Sequence, residues 1–152
     1  MSANSASVAS APKLVINRRL NAPVERVYAA WTDPAKIVQW FGPSDKMTCQ
    51  VPELELAVGG NYTIVMLSPD GDRHCVMGEY REIVENERLV FSWAWESTPE
   101  RVSQVTVTFR ADGDATQLQL AHEQFVDEQA RNQHEKGWTP AIDRLVARIL
   151  EI

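Results

Sequence analysis

The chain has 152 residues, of which 44% are hydrophobic and 24% are charged, and its formal net charge is −6. These proportions are typical of one soluble globular domain with a core of its own, and they argue against a disordered or fibrous chain. The acidic balance, without any basic run interleaved with aromatic residues, argues against binding to nucleic acid or to anionic lipid.

The first twelve residues, MSANSASVASAP, are small or polar, with neither a cationic start nor an apolar block. We expect a disordered N-terminal tail at residues 1–12, followed by a single domain at residues 13–152. No stretch reaches the roughly 18 consecutive apolar residues of a membrane span. The sequence therefore predicts a cytoplasmic protein.

Motifs for metal, nucleotide or nucleophilic chemistry are lacking. Cys49 and Cys75 form no CxxC pair, and their apolar surroundings favour two buried free thiols. The three histidines, His74, His122 and His134, do not have the spacing of metal ligands. Glycine-rich phosphate loops and the GxSxG motif are also missing, so we expect no metal and no cofactor.

In chain order, KLVINRRL predicts a first strand, and two short helices follow it. VERVYAAW has apolar residues at helical spacing after Pro23, and TDPAKIVQWFGP predicts a second helix with Asp33 as its N-cap. From residue 48 to residue 122 the apolar residues alternate, in six runs separated by turn-type clusters. Six strands with short connections predict an antiparallel meander.

The last segment returns to helical spacing. His134, Trp138, Ile142, Leu145 and Ile149 fall within an arc of roughly 80° at about 100° per residue, and we expect this face to be buried. The opposite side should face solvent, and it carries Lys136, Asp143, Arg144, Arg148 and Glu151.

Two residues interrupt this helical pattern. Gly137 and Pro140 lie inside it, and a proline removes a backbone donor and crowds the carbonyl four residues earlier. They predict a kink, or a restart of the helix with Thr139 as its cap.

A long amphipathic helix and a sheet of about seven strands each have one apolar face to bury. Both faces are buried if the sheet curls around the helix, which predicts an α+β fold. A strongly curved sheet contacts a straight helix along only part of its length. We therefore expect an apolar cavity between the sheet and the helix.

The candidate wall of this cavity follows from the alternation of side chains along the strands. Phe91, Trp93 and Trp95 point to one face of their strand, and two further strands contribute similar triplets. For each aromatic residue, ordinary core packing is the main alternative. Together with residues of the helices, the predicted ligand-binding set is Trp31, Trp40, Phe41, Tyr62, Ile64, Met66, Phe91, Trp93, Trp95, Leu118, Leu120, His122, His134, Trp138, Ile142 and Leu145.

Only two side chains near this interior titrate around neutral pH. His122 and His134 are therefore weak candidates for a general acid or base, and a structural role in the core or at its rim is the favoured alternative. No other catalytic residue is predicted.

Five ordered segments resemble the activator of heat-shock-protein-90 ATPase homologue family, within the SRPBCC or START-like superfamily and its helix-grip fold. These segments are APVERVYAAWTDPAKIVQWFGP, VPELELAVGGNYTIVMLSPDG, GEYREIVENERLVFSWAW, VTVTF and HEKGWTPAIDRLVARIL. The resemblance covers about residues 14–151. It implies a curved antiparallel sheet of about seven strands around a long C-terminal helix, with two short helices after the first strand and a hydrophobic cavity inside.

The resemblance implies no reaction, since the superfamily includes lipid and hormone carriers, polyketide cyclases, hydroxylase domains and co-chaperone domains. Three functions therefore stay open. The first is a bacterial protein that binds a small apolar or aromatic molecule and catalyses nothing. The second is a cyclase or dehydratase that uses a cavity histidine. The third is a co-chaperone-like interaction domain.

We favour the binding protein. A chaperone partner is less favoured, because the eukaryotic namesakes of the family carry an additional domain for which this chain is too short. A homodimer is compatible with the sequence.

Overall fold

The elements follow the predicted order. In a computed structural model, residues 12–152 are described, so the predicted tail lies outside the described residues apart from Pro12. The helices are α1 (Val24–Thr32), α2 (Pro34–Ile37) and α3 (Glu128–Arg148). The strands are β1 (Leu14–Leu20), β2 (Thr48–Leu54), β3 (Asn61–Leu67), β4 (Arg73–Val84), β5 (Arg88–Trp95), β6 (Ser103–Asp112) and β7 (Ala115–Glu123).

Seven strands form one antiparallel sheet in the order β1-β7-β6-β5-β4-β3-β2. Strands β2 to β7 are the predicted meander, and β1 pairs with β7 from Leu14 opposite His122 to Leu20 opposite Thr116. The register shifts once in β2 and once in β4. Such irregularities bend strands and increase their twist. The sheet curves around α3, and the predicted helix-grip fold is confirmed.

The two short helices begin as predicted from their sequence. Pro23 precedes the first turn of α1, and the Asp33 side chain caps α2 by accepting a hydrogen bond from the Ala35 amide at 3.0 Å. Trp40 follows α2 and is almost completely buried, with its Nε1 donating to the Ala30 carbonyl at 2.9 Å. The indole thereby fixes the end of α2 against α1.

Helix α3 is continuous, and the predicted restart with Thr139 as cap is wrong. The cap is Asp127, whose carboxylate accepts from the Ala130 amide at 2.8 Å, while Thr139 and Pro140 lie in mid-helix. A proline inside a helix costs about 3 kcal/mol. Trp138 on one side of it and Ile142 on the other are buried against the sheet, and their burial offsets that cost. A kink at Pro140 remains a prediction.

Helix α3 lies closest to one side of the sheet. It contacts β1, and Arg18 of β1 forms an ion pair with Asp143 at 3.4 Å. Its buried face follows the predicted stripe, from Trp138 through Ile142 to Leu145 and Ile149. Unfilled volume remains farther from the β1 edge of the sheet, next to β3 and β5.

Candidate functional site

A cavity of about 350 Å³ lies between α3, strands β3 and β5, and the loop after α2, and we call it the large cavity to distinguish it from an adjoining one of about 30 Å³. Its walls are apolar and aromatic for the most part, and Lys136 is the one charged residue among them. The lining residues are Phe41, Gly42, Pro43, Met66, Trp93, Trp95, Gln133, His134, Lys136, Gly137, Trp138 and Ala141.

The sixteen residues predicted from the sequence divide into three groups. Six line the large cavity: Phe41, Met66, Trp93, Trp95, His134 and Trp138. Five others line a second cavity of about 30 Å³ that shares Phe41 and Trp93 with the first: Trp31, Trp40, Tyr62, Ile64 and Phe91. The last five are at most 3% exposed and line neither cavity: Leu118, Leu120, His122, Ile142 and Leu145.

The third group lies where the helix closes onto the sheet. Leu118 and Leu120 belong to β7, which is the neighbour of β1, and α3 contacts β1. Ile142 and Leu145 form the second half of the buried helix stripe. These side chains therefore pack against one another as core, while the cavity lies toward the first half of α3.

Six lining residues were not predicted: Gly42, Pro43, Gln133, Lys136, Gly137 and Ala141. A signal for some of them is present in the sequence, because Gly137 and Ala141 are small residues that flank Trp138 on the inner side of the helix. Small side chains beside a large ring leave volume unfilled. The sequence pattern indicates Gly137 as an interruption of the helix and Lys136 as a solvated charge, and neither as part of the cavity wall.

Arg144 also differs from the expectation of a solvated side chain. It is partly buried, and its Nη1 donates to the carbonyls of Trp40 at 2.8 Å and Gly42 at 2.9 Å. A charged donor makes a stronger hydrogen bond than a neutral one. Arg144 therefore fixes the loop that forms one wall of the cavity to α3.

His122 is the centre of a buried chain of hydrogen bonds. Trp138 Nε1 donates to His122 Nδ1 at 3.0 Å, and His122 Nε2 lies 2.7 Å from Ser103 Oγ. Because Nδ1 accepts, the proton is on Nε2, which donates to Ser103; Ser103 Oγ in turn donates to the Trp93 carbonyl at 3.2 Å. Both nitrogens of His122 are therefore occupied, and its exposed fraction is 0%.

His134 lines the cavity and has the opposite tautomer. Its Nδ1 lies 2.6 Å from the Ala130 carbonyl, which can only accept, so Nδ1 carries the proton. Trp95 Nε1 donates to His134 Nε2 at 2.9 Å. Each histidine thus accepts a hydrogen bond from one tryptophan of the cavity wall, and both imidazoles are neutral.

Burial lowers the pKa of both histidines. The pKa of His122 lies well below 6.5 because of desolvation, with a smaller contribution from nearby His134. Desolvation also lowers the pKa of His134, and its hydrogen bond to Ala130 opposes that shift. Neither ring offers a free nitrogen to the cavity, and no carboxylate lines it. The arrangement supplies binding surface more readily than proton transfer.

We expect the free energy of unfolding to fall as the pH is lowered from 6.5. Unfolded His122 takes up a proton near its ordinary pKa of 6.5, whereas the folded form stays neutral to a lower pH. Protonation therefore favours unfolding below that pH by up to about 1.4 kcal/mol per pH unit for this one group. Urea unfolding at pH 7.5, 6.5 and 5.5 measures the effect. A stability that stays constant over this range would contradict it.

Two buried indole nitrogens have no acceptor within residues 12–152, those of Trp31 and Trp93. A buried donor without a partner costs about 1–3 kcal/mol. Both rings line the small cavity, and Trp93 separates it from the large one. Unsatisfied groups are few in folded proteins, and both of these belong to rings of the cavity walls.

Neither cysteine is an activated nucleophile. Both thiols are free, with Cys75 buried and Cys49 half-buried, and burial raises the pKa of Cys49 to about 11. A thiol with a raised pKa is protonated and unreactive near neutral pH. Among residues 12–152 no group of three or more potential ligands is arranged to hold a metal. In the same range, no helix is both long and apolar enough to cross a membrane.

Comparison with families and curated proteins gives one match. The family model described as "Activator of Hsp90 ATPase homolog 1-like protein" matches residues 21–149, which include α1, α2, the six strands of the meander and α3. No curated protein matches the chain.

Solved structures with the same fold cover most of the chain. A protein from Chromobacterium violaceum is 28% identical, with a TM-score of 0.80 over 90% of this chain and 96% of that one. The AHSA1 protein from Silicibacter pomeroyi is 25% identical, with a TM-score of 0.80 over 91% and 98%. CalU16 from Micromonospora echinospora is 30% identical, with a TM-score of 0.69 over 93% and 78%. The resemblance inferred from the sequence is thus confirmed, and the chain belongs to the activator of Hsp90 ATPase homolog 1-like family.

Proposed function

We propose that this protein binds a small apolar or aromatic molecule in the large cavity and does not transform it. The observation that carries the proposal is an aromatic, mostly apolar cavity of about 350 Å³ beside the C-terminal helix. Small-molecule sites in proteins have volumes of about 300–1,000 Å³ and the same kind of lining. This cavity is at the lower end of that range, which favours a ligand of one or two rings.

The walls are suited to a flat, apolar ligand. Trp93 and Trp138 are in contact, with ring centroids 5.1 Å apart, and Phe41 lies edge-on to Trp138 at 5.7 Å. Rigid rings lose little conformational entropy on binding and offer faces and edges for stacking. Met66 adds a flexible apolar side chain that can adapt to the shape of a ligand.

Catalysis by a histidine is the second candidate, and His134 favours it because its ring lines the cavity. For proton transfer, its Nε2 would have to release Trp95, since its Nδ1 is bound to a backbone carbonyl. An enzyme of the cyclase or dehydratase type is therefore less supported than a binding protein.

We keep a cytoplasmic location and the absence of a chaperone partner as parts of the proposed function.

Filling the cavity from Gly137 tests the proposed function. A Cβ at this position would meet only the Pro43 Cβ, at 3.9 Å, so Gly137→Leu should extend its side chain into the cavity without a clash in the helix. We expect ligand affinity to fall at least tenfold. Stability should stay equal or rise by up to about 1 kcal/mol, since leucine is a better helix former than glycine.

The measurement is the shift in melting temperature on addition of one- and two-ring aromatic compounds, because a ligand that binds only the folded state raises it. Gly137→Ala is the matched control. It gains the same helix propensity but adds a single methyl group, so it should keep binding. Equal ligand stabilisation of the leucine variant and the wild type would exclude this cavity as the site, and no stabilisation of the wild type by any compound would refute binding.

A further inference from the structure

The large cavity has a single cation at its edge. Lys136 is the one charged residue of the lining, which contains no Asp or Glu. In the described residues Lys136 takes part in no ion pair. An exposed lysine next to an apolar cavity can place its aliphatic stem on the wall and its ammonium group at the opening.

No acid on α3 is placed to neutralise Lys136. The residues three and four positions away on the helix are Asn132, Gln133, Thr139 and Pro140, none of which is charged. The neighbouring Glu135 is paired with Arg131 at 2.6 Å. The ammonium group of Lys136 is therefore available to an anion from outside.

Two arginines of α3 are engaged by the loop after α2. Arg144 is bound to the carbonyls of Trp40 and Gly42, and Arg148 donates to the Gln39 carbonyl at 2.8 Å. These hydrogen bonds hold the loop after α2 in place. Lys136 differs from both arginines, because it lines the cavity and has no such structural partner within residues 12–152.

We infer that the ligand is an apolar acid of one or two rings, whose anionic group pairs with the Lys136 ammonium while its rings lie against Trp93 and Trp138. This inference rests on the proposed function and specifies its ligand class. The Gln133 amide, also part of the lining, can donate a second hydrogen bond to the anion. An anion is otherwise disfavoured by the net charge of −6, so the local cation selects where it binds.

A pair of probes with the same two rings, one anionic and one neutral, tests the inference. 1-Naphthoate and 1-naphthylmethanol share the same two rings, and calorimetric titration gives their affinities. We expect the wild type to bind the carboxylate about three- to tenfold more tightly than the alcohol, as a charge-assisted pair at a partly solvated site would produce. In Lys136→Gln this difference should disappear, with the affinity for the alcohol unchanged within about twofold.

Lys36→Gln is the matched control, since Lys36 lies on α2 and lines neither cavity, yet its loss changes the net charge equally. It should leave the preference for the carboxylate intact. The preference should also weaken between 0.05 and 0.5 M salt, because screening shortens the reach of the ammonium charge.

The outcomes separate this inference from the function on which it rests. If both probes bind equally, or if Lys36→Gln lowers carboxylate binding as much as Lys136→Gln does, the ligand class is wrong while binding in the cavity stands. If neither probe binds the wild type, both the ligand class and the two-ring size are overturned. Loss of the preference in Lys136→Gln alone supports the inference.

Discussion

Replacement of His122 by alanine should lower the free energy of unfolding by about 3–5 kcal/mol. The side chain is completely buried, so its removal leaves a void. It also leaves the Trp138 Nε1–H without its acceptor at a buried position. The Ser103 hydroxyl loses its second partner as well. A domain of this size has a total stability of about 5–15 kcal/mol, so the variant should be close to unfolding.

Urea unfolding followed by circular dichroism measures this difference at pH 7.5, where both histidines are neutral in the folded protein. Gln119→Ala is the matched control on the same strand, because Gln119 is exposed and its side chain bonds, within residues 12–152, only to the Asn17 side chain. Its cost should be below about 0.5–1 kcal/mol. A loss below about 1 kcal/mol in His122→Ala would mean that the buried chain of hydrogen bonds contributes little.

His122 also affects the cavity through two of its wall residues. His122 does not line it, but its Nδ1 fixes the indole of Trp138, which does. On the other side, Ser103 links His122 to the backbone of Trp93. His122 is thus a positioning residue for two cavity walls. Ligand affinity should fall in any His122 variant that still folds.

The positions of the strands could be predicted because alternation of apolar residues depends only on the local chain. The tryptophans at 93 and 95 were placed on the cavity side of β5 for this reason, and both line the cavity. The same period placed Leu118 and Leu120 on that face, yet they are core. Which part of a face is covered by the helix depends on how α3 crosses the sheet, and the local pattern carries no such information.

The continuous course of α3 shows where local helix propensity fails to predict the structure. Gly137 and Pro140 each disfavour a helix, and the sequence alone predicts a kink or a restart with Thr139 as cap. Burial of Trp138 and Ile142 offsets this local preference, and the chain stays helical through both positions. At Gly137 the missing side chain also leaves volume for the cavity, so a residue that weakens the helix contributes to the candidate site.

The roles of the histidines could not be derived from the sequence. Their interior location was expected, but their protonation depends on partners that lie far away in the chain. His134 meets Trp95 across 39 positions, and Ser103 lies 19 positions before His122. Only the folded arrangement shows that each imidazole accepts an indole N–H and is therefore held neutral.

Gly78→Ala should be at least as damaging as the loss of His122, with an expected cost above about 3 kcal/mol. A Cβ on Gly78 would lie 1.9 Å from the Ser92 carbonyl oxygen and 2.7 Å from Cε2 of Tyr62. The first contact is with backbone, which cannot rotate away as a flexible side chain can. A glycine inside a strand often marks such a close approach of two chain segments.

The displaced carbonyl is also a hydrogen-bond acceptor. Tyr62 donates its hydroxyl to the Ser92 carbonyl at 2.7 Å, and the Glu79 amide donates to Ser92 Oγ at 2.8 Å. Moving Ser92 would break these bonds between β3, β4 and β5 and would shift Trp93, the next residue. We therefore expect loss of both stability and ligand binding, measured by urea unfolding and by titration with 1-naphthoate.

Gly137→Ala is the control that separates the general effect of replacing a glycine by alanine from the effect of a steric clash. Its new methyl group would meet Pro43 at an ordinary 3.9 Å, so the same substitution should stabilise the protein by about 0.5–1 kcal/mol there. If alanine lowers the free energy of unfolding at position 78 and raises it at position 137, then Gly78 is required by the close approach of β4 to Ser92. If Gly78→Ala unfolds at the same urea concentration as the wild type, then β4 and β5 are able to separate without loss. In that case the wall that carries Trp93 is less rigid than a preformed binding site requires.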